Sequence, residues 1–283
     1  MPKTDLIKDV LAEAPNRRSM LKKIGLATSA AGAVLASGGL KLSADPSSPT
    51  PVDILQFALN LEYLEAEFYS IGTTGKYISD LGIGTSGSGS SGPTTGGKQV
   101  TFTNALYANY VAYEIGEDER AHVTLLRSAL SSAGVTPIAK PEINLNALGI
   151  GFSDENSFLT LARIFEDIGV TAYAGAAQLP TFTSSPYIGT AARILSAEAE
   201  HVAAIRLVVR NFQIPTKQLD GVDIIPPPSG HNYFSLNDDG LCELRSPGQV
   251  LYLAYGGNAN ATSGGFFPNG VNGNLHTSSS RPA

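Results

Sequence analysis

Two pairs of glutamate and histidine in the sequence have the spacing of metal ligands on a helix. Glu119 precedes His122 by three residues, and Glu198 precedes His201 by three residues. Residues three apart in an α-helix lie about 60° from each other and one turn along, so both side chains can reach one ion. The chain has four histidines in all. Chance is a poor explanation for two of them following a glutamate by three residues. These motifs therefore indicate a metal site.

Two further glutamates extend the pattern. Glu62 is followed seven residues later by Tyr69, and Glu166 is followed at the same distance by Tyr173. Seven residues are about two helical turns, so each tyrosine lies on the same stripe as its glutamate. Two antiparallel helical hairpins would bring four carboxylates and two imidazoles to the axis of a four-helix bundle. Such a set is sufficient to bind two divalent ions and to bridge them.

The neighbours of these residues indicate that the glutamates face the core. Glu62 lies between Leu61 and Leu64, and Glu166 follows an isoleucine and a phenylalanine. A buried carboxylate without a counter-charge is costly, and too few basic residues share these stripes. The alternative is that the glutamates lie on solvated helix faces, which is the default for any single glutamate. For six residues in matching register, bound metal is the more economical explanation.

The elements that must position these residues are predicted as four long helices. Apolar periodicity and capping residues give the boundaries. The first helix begins near Val52 or Asp53, the second runs from Thr103 to Ala133, the third is capped by Ser153 and ends at Pro180, and the fourth runs from Ser185-Pro186 to Asn211. A short fifth helix starts at Ser246-Pro247 and covers Val250 to Tyr255.

The segments between and after these helices differ in composition. Residues 82–97 are rich in glycine and serine and are predicted to be a solvated insertion without a phosphate-binding motif. Residues 212–283 form an irregular extension that either wraps the bundle or a neighbouring subunit, or is partly disordered. We therefore predict an all-α fold, with a four-helix bundle of two antiparallel hairpins joined by a crossover at 45–211 and an irregular C-terminal extension.

The first 44 residues have the composition of an export signal. Arg17 and Arg18 precede an uncharged run from Ile24 to Leu40, and Leu42-Ser43-Ala44 offers a cleavage site. This segment resembles a twin-arginine signal, which would place the protein in the periplasm or outside the cell. If it is not cleaved, the alternative is a membrane anchor. The sequence after it contains no other run long and apolar enough to span a membrane.

The net charge and the cysteine content argue against several kinds of partner and site. The net charge is −6 and the pI is near 5.2, so nucleic acid is not an expected partner. A single cysteine, Cys242, excludes an intrachain disulfide and a cysteine-ligated cluster within one chain. It leaves open a disulfide between two subunits of a homo-oligomer.

The arrangement resembles the ferritin-like superfamily, and more closely the secreted ferritin-like domain proteins related to plant desiccation-associated proteins. The resemblance covers residues 52 to 211 and is carried by Leu59 to Tyr69, Asp118 to Val123, Phe165-Glu166 with Tyr173, and Ala197 to His201. Two tail segments also resemble that narrower family, Ser246 to Leu251 and Gly264 to Pro268.

The resemblance implies roles for named residues. The metal ligands would be Glu62, Glu119, His122, Glu166, Glu198 and His201, with Glu119 and Glu198 as bridges. Glu65 is the main rival to Glu62, while Tyr69 and Tyr173 would hydrogen-bond the ligands, pass electrons or simply pack. The cofactor would be two divalent metal ions, iron first and manganese as the alternative.

The resemblance and the export signal together leave two functions open. Oxygen or hydrogen peroxide would be the substrate of a ferroxidase, peroxidase or catalase-like oxidoreductase outside the cytoplasm, acting in metal redox chemistry or oxidative stress. The insertion, signal and tail disfavour a closed iron-storage cage. The alternative is a non-catalytic stress or desiccation-associated envelope protein that uses the bundle as a scaffold.

Overall fold

A computed structural model describes residues 48–103 and 110–283. The predicted export signal at 1–44 and part of the predicted start of the second helix, at 104–109, lie outside the described residues. The described helices are α1 Pro51–Thr74, α2 Tyr110–Ser132, α3 Glu155–Ala176, α4 Pro180–Thr183, α5 Ile188–Asn211 and α6 Pro247–Ala254, with a 3-10 helix at Ile78–Leu81. Two short strands accompany them, β1 Thr94–Thr95 and β2 Ile143–Asn144.

The long helices pair as the sequence predicts. Helix α1 packs along α2, and α3 packs along α5, while contacts between α1 and α3 and between α2 and α5 join the two pairs. The aromatic centre of the core includes Phe68 of α1, whose ring stacks on that of Phe158 of α3 at 4.4 Å between centroids. The prediction of an all-α fold built on a four-helix bundle is confirmed.

Capping residues move two helix starts relative to the prediction. Thr50 begins α1 through a capping box, in which its Oγ1 accepts from Asp53 N at 3.2 Å and Asp53 Oδ2 accepts from Thr50 N at 2.8 Å. Pro51 therefore occupies the first helical position. The predicted cap of α3, Ser153, is wrong, because Asp154 Oδ1 accepts from Ser157 N at 2.9 Å.

The boundary between α3 and α5 also differs from the prediction. Helix α3 ends at Ala176, and Pro180 opens the separate short helix α4 instead of ending α3. Ser185 does not cap α5, whose N-cap is Tyr187 without a side-chain cap bond. The hydroxyl of Ser185 instead accepts from Tyr187 N at 3.3 Å, which closes a local turn before the helix.

The glycine-rich segment is more closely packed than a solvated insertion would be. Most of its side chains are exposed, but Ser88 N donates to Pro137 O at 2.9 Å, and β1 pairs in parallel with β2. A Cβ added at Gly87 would overlap the carbonyl oxygen of Pro137. The missing side chain is what allows this close backbone approach, so the segment packs on the connection between α2 and α3.

Residues 212–283 are irregular apart from α6 and pack on the bundle of their own chain. Arg245 N donates to Thr171 O of α3 at 3.0 Å, and Phe266 lies 5.1 Å from Phe165 of α3 between ring centroids. Asn60 of α1 exchanges two hydrogen bonds with the tail residue Asn272. In the described part of the chain, no helix combines the length and apolar character needed to cross a membrane.

Candidate metal centre

The four long helices bring the six predicted ligands together in the middle of the bundle. Helices α1 and α3 supply one glutamate each, and α2 and α5 supply one Glu-x-x-His pair each. The four carboxylates are 0% exposed and the two histidines are 8% and 6% exposed. The set is Glu62, Glu119, His122, Glu166, Glu198 and His201.

These residues form two overlapping groups. One group contains Glu62 and His122, the other contains Glu166 and His201, and both contain Glu119 and Glu198. Within each group, one ligand atom from every residue lies within 4.8 Å of all the others. A glutamate from each of two helices and a Glu-x-x-His pair from each of the other two is a donor set known from metal sites in four-helix bundles.

Distances to the histidines show how tightly each group converges. His122 Nδ1 lies 3.3 Å from Glu62 Oε2, 3.3 Å from Glu119 Oε2 and 3.5 Å from Glu198 Oε1. His201 Nδ1 lies 3.0 Å from Glu119 Oε1 and 3.3 Å from Glu166 Oε2. A ring nitrogen has one position for a proton or a lone pair, so it cannot satisfy all of these oxygens by hydrogen bonding.

Most of the converging atoms are buried without any hydrogen-bond partner among the described residues. An unpaired buried polar atom costs about 1–3 kcal/mol, and a cation placed between these atoms would satisfy them together. The donor set therefore fits divalent metal, and the unpartnered atoms are Glu62 Oε2, Glu119 Oε1, Glu166 Oε2, both carboxylate oxygens of Glu198, and His201 Nδ1.

The electrostatics of the cluster indicate a shortage of positive charge. Burial and neighbouring carboxylates raise the pKa of Glu198 well above its usual range, and burial raises the pKa of Glu62 to about 7. Burial would also raise the pKa of Glu119, but the hydrogen bond from His122 and the charge of His201 nearby hold it below its usual range. The carboxylates raise the pKa of both histidines despite their burial. Two divalent ions would balance the four carboxylates.

The two tyrosines hydrogen-bond two of the candidate ligands, which is one of the predicted alternatives. These hydrogen bonds cross the bundle. Tyr69 of α1 donates to Glu166 Oε1 of α3 at 2.6 Å, and Tyr173 of α3 donates to Glu62 Oε1 of α1. Each tyrosine therefore fixes one oxygen of the glutamate in the opposite helical pair and leaves the other oxygen facing the cluster.

Two residues near the centre were missed in the sequence. Asp118 Oδ2 lies 3.2 Å from His201 Nε2, the ring nitrogen that points away from the cluster, so it orients this imidazole. A Cβ at Gly169 would overlap Glu198 Oε2. Asp118 had a signal, since it directly precedes Glu119. Gly169 had a weaker one, as a glycine inside a helix.

Other acidic residues lie outside the two groups. Glu65 is 5% exposed and belongs to neither of them, so Glu62 takes the position for which the two competed. Glu67 is buried beside Lys140, with 3.9 Å between Oε1 and Nζ, and is therefore not a surface residue. Three further glutamates near the ligand positions of α2 and α5 are exposed, namely Glu114, Glu117 and Glu200.

Comparison with known proteins agrees with this geometry. A family model described as "Ferritin-like domain" matches residues 50–211. The chain is also 25% identical over 277 residues to "Ferritin-like catalase Nec2" of Nesocodon mauritianus, with 79% of this chain and 84% of that protein covered. The family match spans more than half of the chain and contains all six clustered residues. The chain therefore belongs to the ferritin-like domain family.

Proposed function

We propose that this chain binds two divalent metal ions between its four long helices and uses them to disproportionate hydrogen peroxide into water and oxygen. The observation that carries the proposal is the pair of overlapping ligand groups that share Glu119 and Glu198. Reduction of one peroxide molecule to water takes two electrons, and oxidation of a second peroxide molecule to oxygen releases two. Two adjacent ions, when bound, would supply and take back these electrons. A relative named as a ferritin-like catalase supports peroxide as the substrate.

The residues around the cluster would hold the ligands in place during this reaction. Tyr69 and Tyr173 fix the outer oxygens of Glu166 and Glu62. Asp118 fixes the ring of His201 through its outer nitrogen. These bonds limit rotation of the ligands, so that their charge is arranged before substrate arrives.

The ligand chemistry supports iron or manganese. Four carboxylates and two imidazoles provide oxygen and nitrogen donors, and no cysteine belongs to either group. Hard carboxylate ligands suit manganese and ferrous iron better than metals that prefer sulfur. Iron is our first choice and manganese the alternative.

We also propose that the protein works outside the cytoplasm. Support comes from the twin-arginine pattern at Arg17 and Arg18, followed by an uncharged run and a small-residue cleavage site. Such a pathway carries folded proteins, so the metal centre would be assembled before export.

The test is oxygen release from hydrogen peroxide by protein loaded with ferrous iron or with manganese. We expect Glu119→Gln and Glu198→Gln to reduce the rate at least tenfold, because each removes a shared carboxylate. Glu117→Gln and Glu200→Gln are matched controls, since these exposed glutamates lie two residues away on the same helices. Metal binding without oxygen release by the wild type would reject the catalase proposal, and oxidation of ferrous iron by oxygen would then indicate a ferroxidase.

A further inference from the structure

An apolar cavity lies beside the candidate metal centre and leads from the surface toward it. Its outer part is formed by Leu148, Gly256 and Gly257, which are exposed. Its inner part reaches Glu65 of α1 and Gly169 of α3, which are buried. Leucine, isoleucine, valine and phenylalanine side chains from the bundle, from α6 and from the tail form most of the wall between them.

The cavity is large enough for a small organic molecule. Its volume is about 240 Å³, while an apolar protein cavity of about 150 Å³ is sufficient to bind benzene. A cavity lined in this way holds water poorly, because water needs two to four polar partners. An apolar molecule somewhat larger than benzene would therefore fill it better than solvent does.

One carboxyl group interrupts the apolar wall. Glu65 is the only acidic or basic residue among those that line the cavity. It is 5% exposed, and it makes no hydrogen bond or ion pair with any residue in the described ranges 48–103 and 110–283. Leaving such a group unpaired costs free energy, and a ligand that hydrogen-bonds it would recover part of that cost.

We propose that this cavity binds a small, uncharged, apolar molecule with a single hydroxyl group, and that the hydroxyl hydrogen-bonds Glu65. A hydroxyl has one donor hydrogen and can also accept, so it can pair with a carboxyl group whether that group is ionised or protonated. A ligand carboxylate would meet the acidic groups of Glu65 and Glu198 without a basic residue to balance them. A ligand ammonium has three donors, and a single carboxyl would leave the others unpaired in apolar surroundings.

The position of Glu65 places the bound hydroxyl next to the metal centre. A Cβ at Gly169 would overlap Glu198 Oε2 and would lie 3.4 Å from Glu65 Oε1, so both carboxyl groups border the same glycine. The inner end of the cavity is therefore adjacent to a shared ligand residue. The binding site itself depends on the cavity and Glu65, so it does not require the proposed metal binding or peroxide reaction to be correct.

The test is calorimetric titration of the purified full chain with 4-ethylphenol and with ethylbenzene, which differ only in the hydroxyl group. We expect saturable binding of 4-ethylphenol that is weakened about tenfold in Glu65→Leu, the loss of one hydrogen bond of about 1.4 kcal/mol. Ethylbenzene should bind Glu65→Leu at least as well as the wild type. Glu65→Gln should retain most of the 4-ethylphenol affinity, because its amide still accepts and donates.

A second pair of variants tests the location. Leu253 lines the cavity from α6 and is half-buried, so Leu253→Trp should reduce binding of both compounds by filling the space. Leu207→Trp is the matched control, because Leu207 is exposed on α5 and lies outside the cavity lining. The proposal is overturned if 4-ethylphenol does not bind the wild type saturably, if Glu65→Leu weakens both compounds equally, or if the two tryptophan variants behave alike.

Discussion

At the scale of single residues, the buried carboxylates of this protein differ in whether a basic side chain compensates their charge. Asp167 is buried within 3.3 Å of Arg163 and 3.0 Å of Arg206, so two guanidinium groups compensate its charge. No arginine or lysine among the described residues forms an ion pair with the glutamates of the central cluster. The contrast argues that the cluster is not a structural ion-pair network. Its missing positive charge is what metal ions would supply.

The tyrosine hydroxyls give the first prediction at this scale. Tyr69→Phe and Tyr173→Phe each remove the donor that fixes a ligand glutamate while leaving the packed ring in place. We expect each to weaken metal affinity about tenfold, the lower end of the usual effect of removing a group that orients a ligand. Metal competition with a chromophoric chelator measures this. Tyr113→Phe is the control, because Tyr113 is exposed on α2, and an equal loss in that variant would contradict the assigned role.

Gly169 gives a second prediction, in which function and stability separate. A Cβ at this position overlaps Glu198 Oε2, so Gly169→Ala should displace that carboxyl and reduce metal content and peroxide turnover. Alanine is favoured over glycine inside a helix by about 1 kcal/mol, which should offset much of the local strain in the free energy of unfolding. Gly189→Ala on α5 meets no atom within 4 Å and should bind metal normally. Full metal binding by Gly169→Ala would show that metal binding does not depend on the position of the Glu198 carboxyl group.

At the scale of elements, the features repeated along the sequence were the predictable ones. The helical spacing of Glu119 with His122, and of Glu198 with His201, was sufficient to place these side chains on common faces. It was not sufficient to choose between Glu62 and Glu65, because residues three apart on α1 lie on nearly the same side. That choice depends on the position of α3, where Gly169 makes room for Glu198 and leaves Glu65 beside the cavity.

The glycine-rich segment could not be placed from composition for a related reason. Composition predicts that few side chains are buried, which is correct, but it does not describe backbone contacts made because side chains are missing. Gly87 approaches Pro137 O closely, and Ser88 N donates to the same oxygen. Long-range contacts of this kind depend on the path of the connection between α2 and α3, which carries no periodic signal.

This packing leads to a prediction for the segment as an element. Gly87→Ala should destabilise the protein by about 1–3 kcal/mol, because the added methyl group overlaps backbone that cannot rotate away. Chemical denaturation measures the change. Ser86→Ala, one residue earlier and exposed, should stay within about 0.5 kcal/mol of the wild type. Equal stability of the two variants would mean that the segment is a solvated loop after all.

At the scale of the whole molecule, the charge of the central cluster couples folding to pH. Glu62 is surrounded by His122 and Glu119 of α2, Tyr173 of α3 and Glu198 of α5. Its pKa is raised by burial to about 7 from an ordinary value of 4.5. A carboxyl that holds its proton more tightly when folded stabilises the fold most below its unfolded pKa, and this contribution is lost as the pH rises through the folded pKa.

The pKa shifts of His201 and Glu119 do not oppose this trend. At pH values above the ordinary pKa of a carboxyl, neither shift makes the fold more stable as the pH rises. Neighbouring carboxylates raise the pKa of His201 to about 12 despite its burial, so its contribution falls as the pH rises above 6.5. The lowered pKa of Glu119 affects stability only below 4.5. Protein kept free of metal by a chelator should therefore melt at a lower temperature as the pH rises from about 5 to about 7.

Metal should reverse that dependence. Metal binds the deprotonated ligands, so its affinity and the stability that it adds increase with pH. Protein with saturating manganese should melt at a higher temperature at about pH 7 than at about pH 5. Calorimetric melting with and without chelator measures both slopes, and parallel slopes would argue against metal binding by these carboxylates.

The most direct test of the central claim is the number of metal ions bound per chain, measured by mass spectrometry of the purified protein after loading with iron or manganese. We expect about two ions in the wild type and fewer than one in the double variant His122→Ala with His201→Ala. The double variant His231→Ala with His276→Ala is the matched control, because it removes the two exposed histidines outside the cluster, and it should retain about two ions. A wild-type protein that binds no more metal than the first double variant would contradict the proposed two-metal centre.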